Sequence, residues 1–398
     1  MNTSNLIIKE SNTILEALTM LNQIRDISRL ILFVLSNDGK VIGSLTDGDI
    51  RRSLIKEGNL DKKVGQICCR EFYYQNESDG FIDLNKFREF DIKIIPILKN
   101  DKSLSRIVDL EKTKSLLPVE CMIMAGGRGK RLSPLTDSVP KPMLLLGGKP
   151  IIEHNIDRLI SFGIKKIYIS VKYLGKQIEA YFGDGSSKGI QIEYIWEDEP
   201  LGTAGALTLV NEFKTDHILL MNSDLFTNAN FEEIYLKLIN EKADMVVASI
   251  DYKVDIPFAV FESENQKVKE FKEKPSYIFN SNAGIYIFKK DLVNLIPKNS
   301  YFDITELMDK LIGNGRKLLH SPIRGYWIDI GKPIDYSKAK EFIKYLDKRQ
   351  SNKTVNKLIL CYLIFTSTVP NFSTLPMNIP FPFIGTTPTV EPVNTKKF

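Results

Sequence analysis

Residues 122–142 read MIMAGGRGKRLSPLTDSVPKP: an apolar run stops at Gly126-Gly127, and Arg128, Lys130, Arg131 and Lys141 follow closely. Paired glycines let the backbone turn tightly and aim N–H groups at phosphate oxygens. The basic side chains behind them could then neutralise a polyphosphate. A glycine turn carrying solvated basic residues is the plainer alternative. Two familiar phosphate loops do not fit: a Walker-type loop needs Gly at 124 and Ser or Thr at 131, where Met124 and Arg131 stand. A dinucleotide fingerprint anchored on Gly127 needs Gly at 132, where Leu132 stands.

Other residues with chemical potential are scattered. Asp224 ends the run HILLMNSD, and Asp329 lies between GYWI and a glycine turn, more than a hundred positions later. Each alone is as compatible with a cap or turn as with a ligand role. EPLGTAGA sets Gly202 and Gly205 around Thr203 ahead of a helical pattern, and VPKP confines Lys141 between prolines that restrict its backbone.

These positions need a scaffold. CMIMA, KIYISV, IEYIW, HILLMN, DMVVASI and GIYIF read as strands, with helical patterns in IIEHNIDRLISF and GALTLVNEF. Such alternation predicts a mostly parallel sheet covered on both faces, with ligands beyond the carboxyl ends of its strands. AGGRGKR falls directly after the first of these strands. Upstream, NTILEALTMLNQI predicts a helix capped at Ser11 or Asn12; LILFVL and KVIGSL predict strands around the turn SNDG, and TDGDIRRSLI a second helix. DIKIIPIL and KNDKSLSRIVDL repeat the strand–turn–strand order, with the turn at Lys99–Lys102.

The 122–142 stretch, followed in order by EDEPLGTAGAL, LLMNSDLF, FKEKP, NAGIYIF and GYWIDIGKP, closely resembles the sugar-1-phosphate nucleotidylyltransferases over roughly residues 119–340. That family includes mannose-1-phosphate guanylyltransferases and glucose-1-phosphate thymidylyl- and uridylyltransferases. The resemblance implies a Rossmann-like α/β (GT-A-like) domain with a mixed, mostly parallel sheet. It also implies attack of a sugar-1-phosphate on the α-phosphorus of a nucleoside triphosphate, releasing pyrophosphate. It makes Arg131, Lys141 and Asp224 catalytic candidates and Asp224 with Asp329 the holders of Mg2+. Ala125, Gly126, Gly127, Glu199, Gly202 and Thr203 become nucleotide candidates. Glu273, Lys274, Asn282 and Gly284 become candidates for the sugar phosphate. One position departs from the family, Lys130 standing where Thr or Ser is usual. The attacking phosphate is already an anion, so no general base is needed, and His154, His217 and His320 fall outside these motifs.

DGKVIGSLTDGDIRR resembles a CBS motif, usually paired, and implies an α+β CBS pair over 1–117 with a degenerate second copy around 79–117. Thr46 and Asp49 match positions that contact a nucleotide ribose in many CBS domains, so an adenine nucleotide is a candidate ligand. A packing module without ligand is the alternative. The order CBS pair then nucleotidylyltransferase resembles bacterial enzymes that activate sugars for surface glycans, several of which use GTP. The expectation is therefore a GTP-using guanylyltransferase over 119–348. A thymidylyl- or uridylyltransferase and a non-catalytic sugar-nucleotide sensor are the rivals.

Composition narrows the classes further. A net charge of +5 over 398 residues is too mild for a nucleic-acid binder. The N-terminus lacks a signal-peptide pattern, no run is long enough to span a bilayer, and the four cysteines match no zinc spacing. A cytoplasmic homo-oligomer is expected. Residues 351–398 form a Pro/Thr-rich tail, uncharged from Leu358 to Val390, with no hexapeptide periodicity. An apolar docking helix, an edge strand, disorder and a non-native extension all stay open for it.

Overall fold

The computed structural model describes residues 3–24, 30–79, 81–346 and 348; every expectation for the 351–398 tail lies outside the described residues. The chain divides into two compact units, Met1–Ile343 and Lys344–Phe398. Of the second, the described residues 344–346 and 348 are helical. Among the described residues no helix is long and apolar enough to cross a membrane.

The first unit opens with two small sheets of the same design. In one, β1 (Ile7–Lys9) lies parallel to β2 (Ile31–Leu35), which pairs antiparallel with β3 (Val41–Thr46). Helix α1 (Ile14–Gln23) connects β1 to β2, and α2 (Asp47–Glu57) follows β3. The cap of α1 is Thr13 rather than Ser11 or Asn12: Glu16 closes a capping box on it, and the Asn12 amide supports the Glu16 carboxylate at 3.0 Å. In the other sheet, β4 (Gln75–Asn76) is parallel to β5 (Ile94–Leu98), and β5 is antiparallel to β6 (Leu104–Asp109). Its connecting helix α3 (Asn85–Glu89) is one short turn, and the chain leaves β6 for the large sheet with no counterpart of α2. The second of these small sheets begins at Gln75 and covers the segment where a degenerate second copy is expected around 79–117.

The large sheet is built from β7 (Val119–Met124), β10 (Lys166–Val171), β11 (Gln191–Trp196), β12 (His217–Asn222), β14 (Met245–Asp255), β17 (Ser276–Lys289) and β18 (Leu318–Pro322). A two-residue hairpin, β8 (Leu145–Leu146) with β9 (Lys149–Pro150), precedes α4 (Ile151–Ser161). Helices α5 (Gly175–Phe182), α6 (Gly202–Gly205) and α7 (Phe231–Asn240) come between later strands, and α8 (Ile304–Gly313) precedes β18. Strand order is β11-β10-β7-β12-β17-β14-β18, with β17 antiparallel to both neighbours. The remaining pairings are parallel, giving the mixed, mostly parallel sheet expected.

Alternation along β7 explains the layering. Cys121 and Ile123 pack with α4 and α7 through Ile156, Leu159, Phe231 and Leu238 on one face. Met122 packs with Leu207, Ile304 and Leu307 on the other. Each such side chain contributes about 1.5–3 kcal/mol by leaving water. The helix expected over 205–213 is absent. Helix α6 is a single turn, a 3-10 turn covers Ala206–Leu209, and Val210 is extended. Ala204, Ala206 and Leu207 are buried, so tertiary packing overrides the helical pattern there.

Candidate active site

Strand β7 ends in the middle of the sheet, and its neighbours hold the loop that follows. The Ala125 N–H donates to the Ser170 carbonyl at 2.9 Å, and the Ser223 N–H to the Met124 carbonyl at 3.2 Å. Beyond these strand ends opens a cleft of about 830 Å3 lined by Ala125–Arg131, Lys141, Glu197, Gly202, Thr203, Asn222 and Asp224. Gly129 has φ 66°, and a Cβ there would sit 3.0 Å from the Lys141 Cβ. The Thr136 hydroxyl donates to the Gly129 carbonyl at 2.9 Å. The loop is thus closed over the lysine that follows it. Arg128 lies over the Tyr173 ring, 5.3 Å from its centre.

Lys141 reaches two carboxylates. Its Nζ donates to Asp224 Oδ2 and lies 4.0 Å from Asp329 Oδ1, with only 11% of the side chain exposed. A short ribbon brings these acids together: β13 (Leu225–Thr227) runs antiparallel to β19 (Trp327–Asp329), placing Leu225 opposite Asp329. The Ile330 N–H donates to the Asp224 carbonyl at 3.0 Å. Gly331 leaves room for Arg131: an added Cβ would be 3.2 Å from Arg131 Nη2 and 3.4 Å from Asp329 Oδ2. Burial first, and the Asp224 charge second, push the Asp329 carboxyl above the ordinary carboxylate range, against the opposing pull of Lys141 and Arg131. Asp224 Oδ1 is buried without a hydrogen-bond partner.

An orphaned carboxylate oxygen beside a second carboxylate that resists ionisation is a donor set suited to a hard cation. No cluster of three or more His, Cys, Asp and Glu occurs among the described residues. Substrate oxygens and water would therefore have to complete the coordination of Mg2+ here.

The wall at 201–205 is docked onto 300–304. Gly202 has φ 75°, and a Cβ would stand 2.8 Å from the Phe302 carbonyl oxygen, so both conformation and space require glycine. The Thr203 N–H and hydroxyl donate to Asp303 Oδ1 at 3.0 and 3.1 Å, and the Ile304 N–H donates back to the Thr203 hydroxyl at 2.8 Å.

Residues 120–345, more than half of the chain, match the nucleotidyl transferase family model. The chain belongs to this family. Residues 1–56 match the CBS domain model. Over 226 residues the chain is 31% identical to the mannose-1-phosphate guanylyltransferase catalytic subunit beta of Xenopus tropicalis, covering 55% of this chain and 62% of the relative. It is 32% identical over 229 residues to a mannose-1-phosphate guanylyltransferase of Mycobacterium tuberculosis, covering 56% and 63%. A UTP–glucose-1-phosphate uridylyltransferase of Synechocystis is 30% identical over 242 residues, covering 56% and 62%. The chain thus spans less than two thirds of these relatives' lengths.

In this nucleotidyl transferase several expected residues stand away from the cleft lining. Glu199 points to solvent, its side chain 87% exposed and 3.8 Å from Lys172 Nζ. The acid that enters the cleft from this segment is Glu197, and EDEP holds three acids whose facing only the strand end could decide. Glu273 and Lys274 are exposed in the connection between β16 (Lys267–Lys272) and β17; β16 forms a hairpin with β15 (Val260–Glu264). Asn282 is exposed and donates from its amide to the Tyr286 hydroxyl at 2.8 Å. Gly284, φ 70°, packs against the cleft residue Asn222: a Cβ would lie 2.6 Å from Asn222 Nδ2.

The histidines have other partners. His154 Nε2 is 2.8 Å from the Leu146 carbonyl and His320 Nδ1 2.9 Å from the Ser249 hydroxyl, while burial lowers the pKa of His217. Beside the first small sheet, Thr46 caps α2 and Asp49 closes the capping box, accepting from the Thr46 hydroxyl at 2.6 Å. Thr46 also lines a cavity of about 180 Å3 with Phe72 and Tyr73; Asp49 does not.

Proposed function

We propose that the chain is a sugar-1-phosphate nucleotidylyltransferase that uses GTP and makes a GDP-sugar, a precursor suited to glycan assembly. The observation that carries this reading is the meeting of Lys141 with Asp224 and Asp329, the first two of which line a cleft together with the glycine loop. The guanylyltransferase names of the similar proteins favour GTP over UTP or dTTP.

A sugar-phosphate oxygen forms the new bond to the α-phosphorus, and the bond from that phosphorus to the bridging oxygen of the β-phosphate breaks. Its electron pair leaves with pyrophosphate. Two anions must approach, so the protein's task is positioning and charge neutralisation. The Ala125–Gly127 backbone and Arg131 hold the triphosphate and the departing pyrophosphate. Lys141, fixed by its acids, steadies the phosphates at the reacting centre. Asp224 and Asp329 would hold Mg2+, which would supply further neutralisation of the phosphate charge. Glu273, Lys274, Asn282 and Gly284 are proposed to serve the sugar phosphate; all four stand outside the cleft lining, with Gly284 packed against the lining residue Asn222. A CBS pair over 1–117 sensing adenine nucleotides is a secondary proposal. The cavity at Thr46 is smaller than the ~300–1,000 Å3 usual for ligand pockets.

The test is pyrophosphate release with Mg2+, crossing GTP, UTP, dTTP, CTP and ATP with mannose, glucose, glucosamine, N-acetylglucosamine and heptose 1-phosphates. Release with GTP and one sugar phosphate supports the proposal. Nucleotide binding with no release from any pair favours a sensor.

A further inference from the structure

Two polar side chains of α4, Asn155 and Arg158, stand outside the cleft lining and have no task in the proposed phosphate chemistry. They lie one turn apart and so share a side of the helix. Asn155 is 2% exposed, and Ile152, Ile156 and Leu159 of the same helix are fully buried. Burying an amide or a guanidinium is costly unless its donors are satisfied. Here the donors go to backbone carbonyls of a single segment. The Asn155 amide donates to the Ser223 carbonyl at 3.3 Å. Arg158 Nε donates to the Ala229 carbonyl at 2.9 Å, and Nη2 donates to the carbonyls of Asn228 and Ala229. The guanidinium also lies over the Phe162 and Phe231 rings, 5.3 and 5.7 Å from their centres. Burial lowers its pKa to about 10, which leaves it a cation at neutral pH.

The gripped segment, 223–229, carries Asp224. The Ser223 carbonyl belongs to the peptide group joining Ser223 to Asp224, so Asn155 holds the acid's own backbone. Arg158 holds the other end, where the partner strand enters. There the Asn228 N–H and the Thr227 hydroxyl donate to the Tyr326 carbonyl at 3.1 and 3.0 Å, and the Tyr326 N–H donates to Asn228 Oδ1 at 2.8 Å. Tyr326 leads directly into β19, which ends in Asp329. Between the two grips the His154 and Phe226 rings meet edge-on, 5.4 Å between centres. Asn228 is four residues beyond Asp224, at most ~14 Å along the chain. Two-stranded ribbons are marginal by themselves, and α4 supplies the frame that this one lacks.

We propose that Asn155 and Arg158 are positioning residues: by gripping 223–229 at both ends they fix where Asp224 stands against Asp329 and Lys141. The inference rests on the nucleotidylyltransferase reading above. Neither side chain touches a substrate; both act through the ribbon. Arginine suits the far grip because its rigid fork spans two successive carbonyls, which the single ammonium of lysine does not. Misplacing a reacting group by about 1 Å costs on the order of a hundredfold in rate.

The experiment compares Arg158→Met, Arg158→Lys and Asn155→Ala with the wild type, all as full chains. Steady-state pyrophosphate release and the melting temperature across a Mg2+ titration are measured together. Arg158→Met and Asn155→Ala are expected to lose about tenfold or more in kcat. KM for the triphosphate should stay within about twofold, because the glycine loop is held by β10 at Ser170 and not by α4. Arg158→Lys, with the charge but no fork, should recover part of the loss. The Mg2+ concentration giving half of the melting shift should rise in the same order as kcat falls. A role in stability alone would lower the melting temperature and leave kcat and the half-saturating Mg2+ unchanged, overturning the proposal. Should Arg158→Met fail to fold, Asn155→Ala and Arg158→Lys decide on the same two readouts. Absence of pyrophosphate release from the wild type with every substrate pair overturns the nucleotidylyltransferase reading alone. The Mg2+ series then still decides the positioning role: a shifted half-saturation supports it and an unchanged one overturns it. A wild type with neither release nor stabilisation by Mg2+ overturns both.

Discussion

Asp329 lies directly across the β13–β19 ribbon from Leu225, the residue after Asp224. That single pairing unites carboxylates more than a hundred positions apart and sets both beside the Lys141 ammonium. Neither acid is placed by its own strand alone. The ribbon is anchored from behind, where the Trp327 indole N–H donates to the Ala283 carbonyl of β17 at 2.8 Å. The proposed role of these acids depends on a three-residue ribbon whose register cannot slip without separating them.

Asp224→Asn tests the centre of this arrangement. The variant keeps the shape and one acceptor oxygen for Lys141 but loses the charge. Pyrophosphate release is expected to fall by about a hundredfold or more, the scale for removing one preorganised electrostatic group. Circular dichroism and the melting transition should show a folded chain. A variant that unfolds would assign Asp224 to the scaffold instead.

Asp329 gives a pH-dependent counterpart. Its carboxyl is raised in the fold, first by burial and then by the Asp224 charge, so the folded chain holds this proton more tightly than the unfolded one. Below the ordinary carboxylate value of ~3.9 both states are protonated and Asp329 carries no penalty. As pH rises through that value toward the raised one, the folded state loses stability relative to the unfolded. Asp329→Asn is therefore expected to melt higher than the wild type near pH 7 without metal. The gap should close toward pH 4. Added Mg2+ should raise the melting temperature of the wild type and not that of the variant, because only a ligand that binds the folded state stabilises it. A variant melting lower than the wild type at pH 7, or one still stabilised by Mg2+, would contradict this account.

The glycine loop offers a steric test. Gly129 is in the left-handed region, and its missing Cβ faces the Lys141 Cβ at 3.0 Å. Gly129→Ala should cost about 1–2 kcal/mol in backbone conformation. It should also push the lysine off its acids, so turnover falls further than stability does. Urea midpoints and pyrophosphate release measured together check this. Equal losses in both would mean the loop does not position Lys141.

Much of this was legible from the chain. The order of strands, the parallel sheet and the place of the glycine loop after β7 follow from apolar runs and their punctuation, because a buried parallel strand must be apolar on both faces. What stayed hidden depends on which way a side chain faces. The segment EDEP offers three acids, and only the end of β11 decides that Glu197 turns inward while Glu199 meets solvent. The helical pattern GALTLVNEF likewise gives way to a short turn, since hydrogen bonds from the Ala204 and Gly205 N–H groups to the Phe302 carbonyl tie it to a segment about a hundred positions away. Glu273 and Lys274 follow their motif in sequence, yet the β15–β16 hairpin carries them to an exposed connection.

Asp303 joins fold and cleft in one side chain. Its N–H donates to the Glu306 carboxylate at the start of α8 at 3.0 Å, and its side chain accepts from the Thr203 N–H and hydroxyl, while the Tyr301 hydroxyl donates to its second oxygen at 2.8 Å. Burial works against its charge, but the donors from Thr203 and Tyr301 prevail and hold its pKa below the ordinary carboxylate range. A depressed folded-state value means the ionised group stabilises the chain above ~3.9, and that stability drains away as pH falls through the lowered value. Asp303→Ala is expected to cost about 1–3 kcal/mol at pH 7, the scale for stranding the donors of Thr203 and Tyr301 that its carboxylate accepts. The difference from the wild type should narrow once the solution is acidic enough to protonate Asp303. Because Thr203 and Tyr301 line the cleft, the same variant should also weaken triphosphate binding. Chemical denaturation across pH 3–7, paired with nucleotide titration at pH 7, separates the two effects. A stability loss that leaves nucleotide affinity untouched would show that the 201–205 wall keeps its shape without Asp303.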